Sequence, residues 1–316
     1  MTSEGIRPPA SIYDRHPELR EPAREGRLPN HLFIIPDGNG RWAEVNGLRI
    51  PTLATSPILR FAARNEQFAS LIKGLDLLKK TGLTHPLMGH LQGVEKFTST
   101  VRDVRELPIK YFGGWGFASG DPEKPEEPEK KSGNWTREPT HGLDEVSGLF
   151  LVVSYLINSN IQEINQTNGV FRVIGRRDRI PNYLVEDIGK AEELTKANDG
   201  QTVYLGLDYG GIDQELREDQ ELVRRVLSGE ITDPSQVTLD FRNKLLDGAG
   251  LIPPMDLIIR TSGEQRVSDL GTLSSNAEFY SEPKLFPDLE TEDIVRALIN
   301  YTNRDRRFGG RSSASK

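Results

Sequence analysis

The stretch HLFIIPDGNGRW, residues 31–42, runs four apolar residues together, turns at a proline, sets one carboxylate against two glycines and an asparagine, and closes on Arg41 and Trp42. A short apolar run bounded by turn residues reads as a buried strand. Gly38 and Gly40 let the backbone approach a ligand and take positive φ, while successive N–H groups form a nest for an anion. Asp37 is the odd member, because a carboxylate beside phosphate is repelled unless a hard cation bridges them. Mg²⁺ does this with one or two carboxylates plus phosphate oxygens. Taken alone, the same residues read more simply as a strand followed by an ordinary Asp-Gly or Asn-Gly turn.

Outward from this stretch, VFRVI (170–174), TVYLGL (202–207) and MDLII (255–259) read as further buried strands, and IKYFGGWGFA (109–118) as one weakened by three glycines. Helical patterns fall between them at 66–80, 93–107, 148–165, 183–198 and 219–227. Such alternation implies an α/β architecture with a mainly parallel sheet, whose ligands bind beyond the carboxyl ends of the strands. HLFIIPDGNGRW places Asp37 at such an end. So does MDLIIRTSGEQRVSD (255–269), where the strand delivers Arg260 and then Thr261, Ser262, Gly263, Arg266 and Ser268. Guanidinium forks match phosphate oxygens, which makes this loop a phosphate clamp or, more plainly, a solvated loop whose Arg and Glu pair with each other. In NWTREPTHGLDEV (134–146) an indole, an Arg and a Pro precede Asp144, which also suits a plain helix start.

The chain has 316 residues, 35% hydrophobic and 28% charged, with a formal net charge of −7, enough for a sizeable core of one large or two small domains. Mild acidity argues against a general nucleic-acid surface. Cysteine is absent, which excludes disulfides, thiolate metal sites and cysteine nucleophiles and fits a cytoplasmic setting. No apolar run reaches the roughly 20 residues of a bilayer span, and the start has no secretory pattern. Residues 1–28 and 312–316 read as flexible tails, and GDPEKPEEPEKKSG (120–133) as a solvated loop. No P-loop, GxGxxG or DDxxD motif is present.

Taken in order, these blocks resemble the cis-prenyltransferase family, whose familiar member is undecaprenyl diphosphate synthase. The resemblance rests on HLFIIPDGNGRW, GHLQGVEKF (89–97), NWTREP, FRVIGRRDRIP (171–181), KAEELTKANDGQTVYLGLDYGG (190–211), DLIIRTSGEQRVSD, NAEFYSEPKLFPDL (276–289) and NRDRRFGGR (303–311). It implies a single-domain α/β fold at 29–311, with a mostly parallel six-stranded sheet surrounded by helices and inserts near 48–85 and 120–133. It also implies a Mg²⁺-dependent enzyme that condenses an allylic prenyl diphosphate with isopentenyl diphosphate. Asp37 is implied as catalytic acid and Mg²⁺ ligand, Asn134 as proton acceptor, and Glu278 as second metal ligand, contributed either within the same chain or from the partner subunit's side. Gly38, Asn39, Gly40, Arg41, Trp42, His90, Ser119, Trp135 and Arg137 are implied around the allylic substrate, and Arg260, Arg266 and Ser268 around isopentenyl diphosphate. The family is usually homodimeric, and its lipid product provides a peripheral membrane contact. A prenyl tail of about 15 carbons gains on the order of 12 kcal/mol gross from burial, so an apolar tunnel sets much of the affinity. LFLVVSYLI (149–157) either lines that tunnel or is ordinary core.

Three departures from the family pattern carry expectations of their own. The connection from Trp42 to His90 is long, and Pro86 stands where an Arg contacts phosphate, with Arg49, Arg60 and Arg64 as substitutes. The acidic insert separates Phe117, Ala118 and Ser119 from Asn134. The linker 269–277 is small and polar. These keep two other readings open, a diverged terpenoid enzyme on the same scaffold and a noncatalytic partner subunit, though retention of Asp37, Arg260, Arg266, Ser268 and Glu278 speaks against the last.

Overall fold

The computed structural model describes residues 10–47, 84–117 and 145–306. Six parallel strands form one sheet in the order β3-β4-β2-β1-β5-β6: β1 (His31–Ile35), β2 (Tyr111–Phe117), β3 (Val170–Ile174), β4 (Thr202–Leu207), β5 (Leu257–Arg260) and β6 (Glu278–Ser281). β1 lies at the centre, and Leu32, Phe33, Ile34 and Ile35 are all buried. Their side chains alternate between two cores, as a period of two requires. Leu32 and Ile34 join the larger cluster with Phe112, Val173 and Leu257, while Phe33 and Ile35 join the smaller one with Tyr204 and Ile258.

Helices cover both faces. In chain order they are α1 (Ile12–Arg15), α2 (Arg20–Arg24), α3 (Asn39–Val45), α4 (Thr84–Arg105), α5 (Glu145–Gln166), α6 (Asn182–Leu194), α7 (Gly211–Leu227), α8 (Leu239–Leu245) and α9 (Thr291–Thr302). The sheet and its connections match the expected α/β class. β6 and α9 were not apparent from periodicity. β6 is a four-residue edge strand of half-buried residues, too short for a pattern.

Four expectations are corrected. Residues 10–28 are not a loose tail, because α1 and α2 bury Ile12 and Leu19 against α4, where Ser11 and the Ile12 N–H both bond Glu106 at 2.6 and 2.8 Å. The helix expected at 93–107 begins at Thr84, and Pro86 lies in its first turn, where a missing N–H costs nothing. The helix expected at 219–227 starts eight residues earlier, at Gly211. The glycines of β2 do not weaken it, because a Cβ on Gly114 would stand 2.5 Å from the Phe97 ring. That ring occupies the space instead. The helix expected at 66–80 and the acidic insert lie outside the described residues.

Candidate active site

β1 and β5 are neighbours, with Ile35 in register with Arg260, so the loops that follow them leave the sheet side by side. Asp37 and Arg260 therefore meet. Arg260 Nη2 donates to Asp37 Oδ2 at 3.0 Å, and its Nη1 donates to Ser268 Oγ at 2.6 Å and to the Arg266 carbonyl at 2.7 Å. Arg260 is 4% exposed. This one buried guanidinium thus fixes the carboxylate of the first loop and the backbone of the second.

Thr261 locks Asp37 from the other side. Its Oγ1 accepts from the Asp37 N–H at 2.8 Å and donates to the Asp37 carbonyl at 2.8 Å, while the Phe286 N–H donates to the same carbonyl at 3.0 Å. The chain then turns at Gly38, whose φ is +97°, and α3 begins. A Cβ at Gly38 would lie 2.2 Å from Ser262 Oγ and 2.7 Å from Leu285 Cδ2. Only glycine meets both demands. Gly40 departs from the expectation of positive φ: it is helical, with open space where a Cβ would be.

Charge surrounds the open side. Arg41 approaches Asp37 at 3.4 Å and Glu264 at 3.6 Å, and Arg266 pairs with Glu264. Arg41 and Arg266 are half or more exposed, so both are held only by carboxylates that an anion can replace. Among the described residues, three buried polar atoms here have no hydrogen-bond partner: Asn39 Oδ1, Arg260 Nε and Ser262 Oγ. Each costs about 1–3 kcal/mol if it stays so. Trp42 closes the rim, donating its indole N–H to Asp288 at 2.6 Å.

An apolar pocket opens beside Pro36 and Asn39 and runs between α4, α5 and the sheet, lined by Phe97, Val153, Leu156 and Phe286 among others. Leu149 and Val152 line it too, so much of LFLVVSYLI faces a cavity. A second pocket shares Phe97, Leu156 and Leu205 and takes in Ile157.

The expected residues divide into four groups. Asp37, Gly38, Asn39, Gly40, Arg41, Trp42, Arg260, Arg266 and Ser268 gather at one end of the sheet. His90 lies on α4. Ser119, Asn134, Trp135 and Arg137, with the substitutes Arg49, Arg60 and Arg64, lie outside the described residues. Glu278 does not join Asp37 in the same chain: it starts β6 level with Leu257, three residues below the Arg260 level, and pairs with Arg304 at 2.7 Å. At about 3.3 Å per residue that is roughly 10 Å down the sheet, two strands away. Thr261, Glu264 and Asp288 were not assigned from the sequence. Glu264 and Thr261 border Arg260 in RTSGE, but nothing in the sequence paired Asp288 with Trp42.

Among the described residues no three His, Asp or Glu side chains cluster as a metal cage. A single half-buried carboxylate fits a cation that takes most of its ligands from substrate phosphates and water, the habit of Mg²⁺. Nor is any described helix long and apolar enough to cross a membrane.

Residues 79–309 match the family model Prenyltransf, "Putative undecaprenyl diphosphate synthase". An isoprenyl transferase of Rhizobium meliloti (strain 1021) is 32% identical over 284 residues, covering 90% of this chain and 93% of that protein. One from Clostridium perfringens (strain 13 / Type A) is 31% identical over 287 residues, covering 90% and 92%. The crystal structure of a lavandulyl diphosphate synthase from Lavandula x intermedia, in complex with dimethylallyl diphosphate, matches with a TM-score of 0.68 and 26% identity over 90% of this chain and 99% of that one. The chain belongs to the undecaprenyl diphosphate synthase family. It is an enzyme that transfers prenyl groups.

Proposed function

We propose that the protein is a Mg²⁺-dependent cis-prenyltransferase that condenses an allylic prenyl diphosphate with isopentenyl diphosphate into a (Z)-polyprenyl diphosphate. The observation that carries this reading is the meeting of Asp37 with Arg260 at 3.0 Å, at the mouth of the apolar cavity. The loop at Gly38 and Arg41 receives the allylic diphosphate, since the first turn of a helix leaves N–H groups without intrahelical partners. The allylic tail enters the cavity past Asn39 and Val94. Arg266 releases Glu264 and takes isopentenyl diphosphate, in a loop whose shape Arg260 maintains through Ser268.

Asp37 would hold Mg²⁺, which when bound would supply electrostatic stabilisation of the departing diphosphate. The chain's own part is orientation and charge: two diphosphates are fixed on adjacent loops, and no nucleophilic side chain is required. Asn134 is proposed to accept the proton lost on condensation, with Ser119, Trp135, Arg137 and His90 beside the allylic substrate. Glu278 is out of reach of its own Asp37, so we assign any metal role for it to the partner subunit's site in a homodimer. Mixing inactive Asp37→Ala chains with Glu278→Gln chains then restores turnover in the heterodimer. The reaction is placed in the cytoplasm, in one catalytic domain, with the lipid product making a peripheral membrane contact.

The likeness to a lavandulyl diphosphate synthase holding dimethylallyl diphosphate favours one second reading. In it a prenyl diphosphate is ionised on the same scaffold and then condensed irregularly, cyclised or hydrolysed. Incubation with Mg²⁺ and farnesyl or dimethylallyl diphosphate, with and without labelled isopentenyl diphosphate, separates the two. Label in a longer product supports elongation; turnover without isopentenyl diphosphate supports the second reading.

A further inference from the structure

Helix α7 begins where β4 ends, and its first turn is fastened to the segment that follows Ser268. The Gly211 N–H donates to the Asp269 carbonyl at 3.0 Å, and the Ile212 N–H lies 3.1 Å from Asp269 Oδ1 and 3.2 Å from Oδ2. One loop residue thus serves two of the N–H groups that a helix start leaves without intrahelical partners. Gly211 makes the approach possible, since a Cβ there would stand 2.2 Å from the Gly271 nitrogen and 2.9 Å from Asp269 Oδ1. Asp269 and Gly271 both belong to the small, polar linker 269–277 that departs from the family pattern.

The seam holds a backbone that does not hold itself. The loop carrying Arg266 leaves β5 through Ser262 and Gly263, at φ +74° and +70°, and ends at Ser268, at φ +61°. A residue with a side chain persists in that region only where its surroundings over-determine it. At the entry, the Ser262 N–H donates to the Lys284 carbonyl at 2.7 Å and the Gly263 N–H to the Glu282 carbonyl at 2.9 Å. At the exit, Arg260 fixes the Ser268 hydroxyl and the Arg266 carbonyl, but the chain beyond them is fixed from α7 and its approach. The Leu270 N–H closes the turn on the Ser268 carbonyl at 3.1 Å, and the Tyr209 hydroxyl donates to the Leu270 carbonyl at 3.3 Å. Helix α7 can carry this load. Its inner face is polar, with Gln214 and Glu218 at 1% and 4% exposure, while Ile212 and Leu216 face outward at 73% and 56%. Ion pairs set its position: Arg217 reaches both oxygens of Asp247 at 2.7 Å, and Arg242 pairs with Glu218 at 3.0 Å.

We propose that Asp269 is a positioning residue for isopentenyl diphosphate: by capping α7, its side chain holds Ser268 in the left-handed turn that sets the Ser268 hydroxyl against Arg260 and aims the Arg266 side chain. This rests on the assignment of that loop to isopentenyl diphosphate under the proposed function. A bare carboxylate this near a diphosphate would repel it. Spent on the N–H groups at the positive end of a helix, its charge is offset, and what the loop needs from it is a hydrogen-bond acceptor. Asparagine supplies the same acceptor without the charge.

Calorimetric titration of the full chain with isopentenyl diphosphate and Mg²⁺, without an allylic substrate and so without turnover, tests the proposal. Asp269→Ala should raise the Kd at least about tenfold, short of the order of 10²-fold that a full 1 Å misplacement costs. Asp269→Asn should bind as the parent does. In steady state the KM for isopentenyl diphosphate should rise in Asp269→Ala by the same factor, while kcat and the KM for the allylic diphosphate stay close to the parent's. Thr238→Ala is the control for lost stability alone, because it removes the side-chain cap of α8, where Thr238 Oγ1 accepts from the Phe241 N–H at 3.1 Å. It should lower the thermal midpoint and leave the Kd unchanged. Parent-like binding by Asp269→Ala, binding by Asp269→Asn as weak as by Asp269→Ala, or equal weakening by Thr238→Ala overturns the proposal. Should Asp269→Ala fail to fold, Asp269→Glu, whose carboxylate is displaced by one methylene, carries the same test, and parent-like binding by it is equally fatal. A parent chain that binds no isopentenyl diphosphate defeats the proposed reaction and this inference with it; a parent that binds while Asp269→Ala is unaffected defeats this inference alone.

Discussion

The two ends of strand β1 treat buried polar groups in opposite ways. At its amino end His31 is fully buried, its Nδ1 donating to the Pro253 carbonyl at 2.8 Å and its Nε2 accepting from the Tyr204 hydroxyl at 2.7 Å. Both ring nitrogens are satisfied, and close by Asp256 accepts from the Asn30 and His31 N–H groups at 3.0 Å and pairs with Arg306 at 2.8 Å. At the carboxyl end, Asn39 Oδ1, Arg260 Nε and Ser262 Oγ are buried and unpartnered, and Arg41 and Arg266 rest against carboxylates that an anion can replace. One end has completed its hydrogen bonding within the chain. The other has left capacity for something that arrives, which makes the first structural and the second the candidate site.

The sharpest way to break this contrast is Asp37→Ala. It should lower product formation at least about 10³-fold, near 4 kcal/mol of transition-state stabilisation, while the thermal midpoint moves little. Single-turnover assays with labelled isopentenyl diphosphate read the first quantity and calorimetry the second; full activity in the variant would refute the mechanism. Gly38→Ala should damage both properties. Positive φ strain and a Cβ driven against Ser262 and Leu285 together cost roughly 3 kcal/mol in urea unfolding, with loss of activity.

The amino end responds to pH instead. Burial, the larger effect, opposed by the Pro253 and Pro254 carbonyls and by Asp256, lowers the His31 pKa from 6.5 to about 4. Between those values the unfolded chain holds a proton that the folded chain does not, so stability falls as pH falls through this window. The loss from this group reaches about 3 kcal/mol near pH 4, measurable as a shift in the urea midpoint between pH 7 and pH 4. Tyr204→Phe should cost least, about 1–3 kcal/mol, because it leaves His31 Nε2 buried without a partner. Its turnover number should match the parent's, and a large loss of turnover would mean that the two ends are coupled.

Much of this was legible before any coordinates. LFII, VFRVI, TVYLGL and MDLII each became strands, because short, largely apolar runs of four to six residues bounded by turn residues suit a sheet buried on both faces. Asp37 and Arg260 were legible as strand-end residues by the same logic. What the pattern hid were features whose signal is not local. β6 is half-buried and four residues long, and α1 and α2 sit in a segment whose Pro, Arg and Glu content masked Ile12 and Leu19. α7 hid its start because its apolar residues face away from the core.

The sequence by itself determined the class of fold and the family, and it singled out the candidate loops at Asp37 and Arg260, since strand periodicity and long motifs are written along the chain. Only the tertiary structure decided which of those residues meet. It joined Asp37 to Arg260, 223 positions apart, and kept Glu278 at the far end of the sheet, because strand order and register set distances that sequence separation does not. It also decided which way α7 faces. An amphipathic pattern gives a helix two faces, and only packing against the rest of the molecule says which one is buried.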